Sequence, residues 1–309
     1  MPLWAEPVSA QSRGLLARCT FPEPGTRVEC AVSGGADSMA LLVLACEAGC
    51  LVTAVHVDHG LRSGSDREAE TVRRAAERFG AAFRSETVEV GPGANLEARA
   101  RIARYGVLGR DVMTGHTEDD QAETMLLNLM RGAGPQGMAG MRPGWRRPLL
   151  ALRRTDTAAL CRGLSIEIVA DPSNLDPAFR RNRVRHEVLP LMAEVAQRDL
   201  VPILARQAEL FASVADHLVA QGAELDVCDA SMLARAPAPV ASAAIRSWLR
   251  GANEHGHPPN RATVDRVLAV ARLEMAATDV GAGWRVERSG GRLRLVAPGR
   301  HAGRLDRDA

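Results

Sequence analysis

The chain contains no lysine; all 39 of its basic residues other than histidine are arginine. That absence excludes three kinds of chemistry. A Walker-type phosphate loop needs Gly-Lys-Ser/Thr, a Schiff base needs a lysine amine, and a protein kinase holds its nucleotide with one. Long apolar runs are missing too. No stretch approaches the roughly 18 consecutive apolar residues of a membrane-spanning helix, so no membrane partner is expected. Met1 to Gln11 has no basic region leading into an apolar one, so a secretory leader is not expected. Cysteine is sparse. Cys19, Cys30, Cys46, Cys50, Cys161 and Cys228 are scattered through 309 residues, which argues against a disulfide framework and for reduced thiols in a cytoplasmic protein.

The residues that are present describe a globular protein. Hydrophobic residues at 46% and charged residues at 25% are folded-domain values, and the length suits two domains. The formal net charge is only +2, but it is unevenly spread. Arg142 to Arg185 holds ten arginines against Asp156, Glu167, Asp171 and Asp176, a local surplus of six. Such a stripe suits a phosphate-rich partner. A solvated arginine face is the plainer alternative.

Strand and helix patterns alternate from Val28 to Val169. Strands are predicted at Val28–Val32, Leu51–Val57, Phe83–Val90, Val112–Thr114 and Ile166–Val169. Helices are predicted after Ser38, over Ser65–Phe79, Asn95–Leu108, Thr117–Arg131 and Thr155–Arg162. This alternation implies an α/β fold with a Rossmann-like parallel sheet of about five strands, whose ligands bind at the carboxyl ends of the strands. From His186 apolar residues recur at helical spacing (Leu191, Val195, Leu200, Leu204, Leu210, Val214, Leu218), and residues 229–280 read as short helices broken at Pro237, Pro239, Pro258 and Pro259. Trp284–Arg288, Ser289-Gly290-Gly291 and Arg292–Val296 form a hairpin signal. Residues 1–185 are therefore expected to form the sheet domain. Residues 186–309 are expected to form a smaller helical domain with a terminal β-hairpin.

Five segments carry chemistry. Ser33-Gly34-Gly35-Ala36-Asp37-Ser38 lies between a strand and a helix. Its glycines permit positive φ and close approach, and its successive amides make an anion nest. Without a lysine to reach a γ-phosphate, the loop suits pyrophosphate as it leaves, with Mg²⁺ bridging to Asp37. His56-Val57-Asp58-His59-Gly60-Leu61-Arg62 ends the next strand, where adenosine contacts fall. A structural role for His56 is an even alternative. Thr114–Thr124 (TGHTEDDQAET) stacks acids in the first turns of a helix, where Asp119 or Asp120 can share a face with Glu123. Acids at that end also favour the helix dipole. Arg131–Met141 is too glycine-rich for a helix and is expected to be a mobile loop near the site. Asp171-Pro172-Ser173-Asn174, followed by Arg180-Arg181-Asn182-Arg183-Val184-Arg185, offers forked donors to an RNA backbone or, more simply, a capped turn.

The Ser33–Ser38 loop resembles the SGGxDS loop of the PP-loop ATP pyrophosphatases, Rossmann-like proteins that split ATP between its α- and β-phosphates. The five segments in this order resemble the tRNA(Ile)-lysidine synthetase family, strongly from about Arg27 to Pro190. Met138 stands where the family often has leucine. Longer members carry a further C-terminal domain, and this chain is similar to the short form. The resemblance implies a ligase using ATP and Mg²⁺. The oxygen at carbon 2 of the wobble cytidine of the CAU-anticodon isoleucine tRNA is adenylated with release of pyrophosphate, and the side-chain amine of free L-lysine then displaces AMP. It assigns ATP to Ser33, Gly34, Gly35, Ala36, Asp37, Ser38, His56 and Asp58. Lysine falls to Asp120 and Glu123, with Asp119 as a neighbour, and tRNA to Arg131, Arg181, Asn182 and Arg185. A homodimer is compatible with it.

Three rivals are weighed. A tRNA thiolase of this fold would use paired cysteines, but Cys46-x₃-Cys50 ends an apolar helix and reads as core. A synthetase that adenylates a carboxylate would leave the Arg180–Arg185 segment unexplained. A non-enzymatic nucleotide or RNA binder would not need acids beside the loop.

Overall fold

The structure is a computed structural model describing residues 10–58, 65–88, 99, 103, 106–109, 111–169, 171–252 and 259–298. Its chain divides into two compact units, Met1–Ala212 and Ser213–Ala309.

The first unit opens with helix α1 (Ala10–Leu16) and builds a sheet from β1 (Arg27–Ala31), β2 (Leu51–Asp58), β3 (Ala82–Thr87) and β4 (Met113–Thr114), with α2 (Ala36–Glu47) and α3 (Ser65–Arg78) between strands. The strand order is β3-β2-β1-β4 and every pairing is parallel; Cys30 lies opposite both Ala54 and Met113. Helix α2 follows from its sequence: Ser38 to Cys46 is buried throughout, so the helix needs no polar face and serves as the spine of the core. Each such leucine or valine contributes about 1.5–3 kcal/mol on burial. The chain leaves β1 toward β2 and returns to β4 on the other side. That reversal opens a crevice at the carboxyl ends of β1 and β4, where α/β sheets take ligands.

Beyond the sheet come α4 (Glu118–Met130), α5 (Pro135–Met138), α6 (Arg154–Gly163), a 3₁₀ turn (Pro172–Leu175), α7 (Arg180–Arg183), a π turn (Val184–Val188), α8 (Leu189–Ala196) and α9 (Val201–Ala223). The sequence predicts a domain boundary at 185/186, whereas the compact units part at 212/213. Leu204, Ala208 and Phe211 of α9 pack with Met125 and Met138, which ties that stretch to the first unit.

The second unit holds α10 (Ala230–Arg235), α11 (Ala238–Ala252), α12 (Arg261–Ala271) and an antiparallel sheet of β5 (Ala277–Gly281), β6 (Trp284–Ser289) and β7 (Arg292–Val296). The predicted hairpin is present, with Val286 opposite Leu295, and Val286 and Leu293 buried against Leu233, Ile245 and Val267.

Four expectations are corrected. The parallel sheet has four strands among the described residues. Ile166–Val169 forms no strand; the Val169 amide instead donates to Gly34 O at 2.9 Å, closing the Ser33–Ser38 loop. Ala277–Gly281, read as part of a helical region, is a strand that pairs with β6 and buries Thr278. Arg131–Met141 is neither helix-free nor a detached lid. Pro135 starts a short helix, Met138 is buried, and side chains of α4 hold the segment down. The helix predicted over Asn95–Leu108 lies mostly outside the described residues, as do His59, Gly60, Leu61 and Arg62.

Candidate active site

The loop after β1 is shaped by two hydroxyls. Ser38 Oγ accepts from the Ser33 amide at 3.1 Å and donates to Gly35 O at 2.9 Å, and Ser33 Oγ lies 3.2 Å from it. Gly34 has φ +89, and a Cβ there would sit 2.7 Å from Val169 Cγ2. Gly115, just after β4, is required by proximity, since its Cβ would fall 2.7 Å from Asp37 O. The segment leading to the acidic helix therefore lies directly against the first turn of α2. The loop and the acids form one site.

Within that site three carboxylates meet three guanidinium groups. Asp37 projects from the first turn of α2. The Thr157 hydroxyl donates to one of its oxygens, and Arg154 Nε lies 3.4 Å from the other. Burial pushes the Asp37 carboxyl above its ordinary value, against the opposing pull of Thr157 and Arg154. Asp120 turns back to the start of α4, its Oδ2 accepting from the Thr117 amide at 2.9 Å and hydroxyl at 3.0 Å. Its Oδ1 accepts from Arg154 Nη2 at 2.8 Å. Burial opposes ionisation of Asp120, but Arg154 and the Thr117 amide prevail and hold its carboxyl below the usual aspartate value. Glu123 is fully buried and accepts from Arg154 Nη1 (3.1 Å), Arg181 Nε (3.0 Å), and Arg185 Nε (2.7 Å) and Nη2 (3.2 Å). A buried carboxylate is tolerated only when paired in this way.

The other expected residues fall as follows. Asp119 points away from the cluster and holds the start of α6, accepting from Arg153 Nε (3.1 Å) and the Arg154 amide (2.8 Å). His56 is 2% exposed, and its Nδ1 donates to Val32 O at 3.0 Å, so its ring braces β1 against β2. Asp58 closes β2, its carbonyl accepting from the Val88 amide. Asn182 is buried and donates to Ser173 O (2.7 Å) and Asp176 O (2.9 Å), locking the Asp171–Asp176 turn onto α7. Arg181 and Arg185, expected on RNA, face inward to Glu123. Arg131 is exposed.

Arg154 and Thr157, which join the two halves of the site, lie in none of the five sequence segments. The arginine surplus of Arg142–Arg185 is the one sequence signal that includes Arg154, and it points equally to a phosphate-rich partner or a solvated face; Thr157 has none. Gln121, within the TGHTEDDQAET segment, takes a structural role that its position in the motif does not announce. Its carboxamide donates to Ala139 O (3.2 Å) and Met141 O (3.0 Å) and accepts from the Met141 amide (2.8 Å). Cys46 and Cys50 are core residues, and burial pushes the Cys46 thiol up to about 12. Among the described residues no group of three or more His, Cys, Asp or Glu side chains could hold a metal ion by itself.

A parallel sheet, an SGGxDS loop at its switch point and acids beside that loop define the PP-loop class of ATP-binding domains, and the PP-loop domain family matches residues 9–192. The tRNA(Ile)-lysidine synthase of Nocardia farcinica is 43% identical over 253 residues, covering 77% of this chain and 79% of that protein. The tRNA(Ile)-lysidine synthase of Rhodococcus erythropolis is 42% identical over 244 residues, covering 74% and 75%. Among solved structures, the U34-tRNA thiolase NcsA of Methanococcus maripaludis, with its 4Fe-4S cluster, superposes with TM-score 0.51 at 16% identity. It covers 65% of this chain and 78% of its own, a likeness of fold alone. The chain belongs to the tRNA(Ile)-lysidine synthase family.

Proposed function

We propose that this chain makes lysidine. It adenylates the carbon-2 oxygen of the wobble cytidine in CAU-anticodon tRNA(Ile) with ATP, releases pyrophosphate, and lets the side-chain amine of free lysine displace AMP. The observation that supports this most is the bridge Asp37–Arg154–Asp120/Glu123, which puts the Ser33–Ser38 loop beside two acids of the charge an ammonium needs.

The carbonyl oxygen is a poor leaving group, and its attack on the α-phosphate turns it into a good one. Loop amides and the start of α2 receive the charge that develops on pyrophosphate, each such donor contributing about 3–4 kcal/mol. Asp37 supplies a single carboxylate, which fits Mg²⁺, an ion commonly bound by one or two carboxylates plus substrate phosphates. When bound, Mg²⁺ would neutralise phosphate charge there. Lysine's amine has an ordinary pKa of about 10.4, so freeing it at neutral pH costs about 4–5 kcal/mol. Asp120, held below its usual range, is a weak proton acceptor. It is suited to gripping the ammonium, while a water takes the proton.

Of the four residues expected on tRNA, Arg131 is the one we retain as a backbone contact. Arg181, Asn182 and Arg185 are spent inside. Among the described residues no helix is long and apolar enough to cross a membrane; the cytoplasm is the compartment we propose. Sedimentation would distinguish a monomer from the homodimer.

The test is release of labelled pyrophosphate from ATP, with the isoleucine CAU tRNA and free lysine each omitted in turn. Release that needs the tRNA, with lysine entering the tRNA, is expected. Release without lysine entry would move the proposal to another nucleophile, and no release at all would overturn it.

A further inference from the structure

The carboxylates assigned to lysine are already held by arginine, and Glu123 is saturated. Glu123 accepts two guanidinium hydrogen bonds on each oxygen, which fills the roughly four lone-pair sites of a carboxylate. Asp120 spends Oδ2 on Thr117 and Oδ1 on Arg154. An incoming ammonium brings three donors and no acceptor, so it can reach Glu123, and bridge it to Asp120, only where a guanidinium withdraws.

Arg154 is the group placed to withdraw. Arg181 is also tied to the Thr124 hydroxyl at 2.7 Å, and Arg185 reaches Asp120 only at 3.6 Å. Arg154 alone of the three hydrogen-bonds to both acids and also reaches Asp37 beside the phosphate loop, its Nε contact there being the longest of its three at 3.4 Å. Its backbone is anchored separately, the amide donating to Asp119 Oδ2 at 2.8 Å, so the side chain can swing while α6 stays in place. A polyphosphate at the Ser33–Ser38 loop offers that fork several charged oxygens in the geometry guanidinium prefers.

We propose that Arg154 is the latch of the lysine subsite: it stands in for the ammonium on Asp120 and Glu123, and the phosphates of ATP draw it away. This rests on the assignment of lysine to those two acids. The consequence is order, because the amine gains its site only when the nucleotide that activates the cytidine is bound. Linkage makes the effect reciprocal, so lysine must tighten nucleotide binding by the same factor.

Equilibrium dialysis of labelled L-lysine against the full chain tests this, with and without saturating α,β-methylene-ATP and Mg²⁺. Wild type should bind lysine more tightly with the analogue, within the roughly 5–150-fold range of such couplings. Arg154→Met should bind lysine without the analogue and lose most of that dependence. Equal lysine affinity in both wild-type arms would overturn the latch while keeping the lysine subsite, and this comparison stands even where the variant does not fold. A folded Arg154→Met chain with undiminished dependence would overturn it as well. Lysine binding to neither protein under any condition, while the analogue binds, would overturn the subsite and the latch together.

Discussion

Single residues in this site carry charge balance as well as chemistry. Glu123 neutralises parts of three guanidinium groups from a position with no solvent access. Removing one partner of a buried pairing is far costlier than the pairing is worth. Glu123→Ala is therefore expected to lose about 3–5 kcal/mol of stability, read as a lower urea midpoint, in addition to any loss of lysine transfer. Asp120 makes a pH prediction. Its folded carboxyl lies below the ordinary value of 3.8, so the stability it contributes is present above that pH and is lost as pH falls through the folded value. The gap in urea midpoint between wild type and Asp120→Asn should be wide at neutral pH and shrink below pH 3.8. A gap that widened on acidification would reverse the assignment.

At the scale of elements, α4 organises the site from both of its faces. Asp120 and Glu123 face the arginines, while Gln121 and Asn128 strap down the 131–141 segment through backbone groups of Gly137, Ala139 and Met141. Composition alone suggests a mobile lid there, since glycine-rich segments lack the side chains to pack. The fixing comes from a carboxamide on another element and from Met138 in a small apolar cluster. Gln121→Ala removes hydrogen bonds worth about 0.5–1.5 kcal/mol each. Amide exchange at Met141 should accelerate in that variant while exchange in β2 is unchanged. Unaltered protection at Met141 would mean that the strap is not what holds the segment.

For the molecule as a whole, much of the arginine surplus between Arg142 and Arg185 is taken up in ion pairs, those of Arg153, Arg154, Arg181 and Arg185 partly buried and those of Arg146 and Arg183 exposed. Arg146, Arg153, Arg154, Arg181, Arg183 and Arg185 all pair with carboxylates, including Asp37, Asp111, Asp119, Glu123 and Asp199 from outside that stretch. A sequence count of charge thus overstates what faces RNA. The salt dependence of tRNA binding can separate the two kinds of arginine. Arg131→Ser should lower the slope of log affinity against log salt by about 1, the effect of one lost phosphate contact. Arg185→Met should leave the slope unchanged and act on lysine transfer and stability.

What the sequence determined by itself is local. The Ser33–Ser38 turn, the acidic start of α4, the apolar spine of α2 and the terminal hairpin depend on φ preferences, capping and periodicity, all expressed within a few residues. The tertiary structure decided which charges meet. Arg154 is separated by 31 residues from Glu123 and by 117 from Asp37. Nothing in local spacing distinguishes it from the arginines around it. The parallel sheet brings α2, α4 and α6 to one crevice, and burial there requires each carboxylate to find a guanidinium.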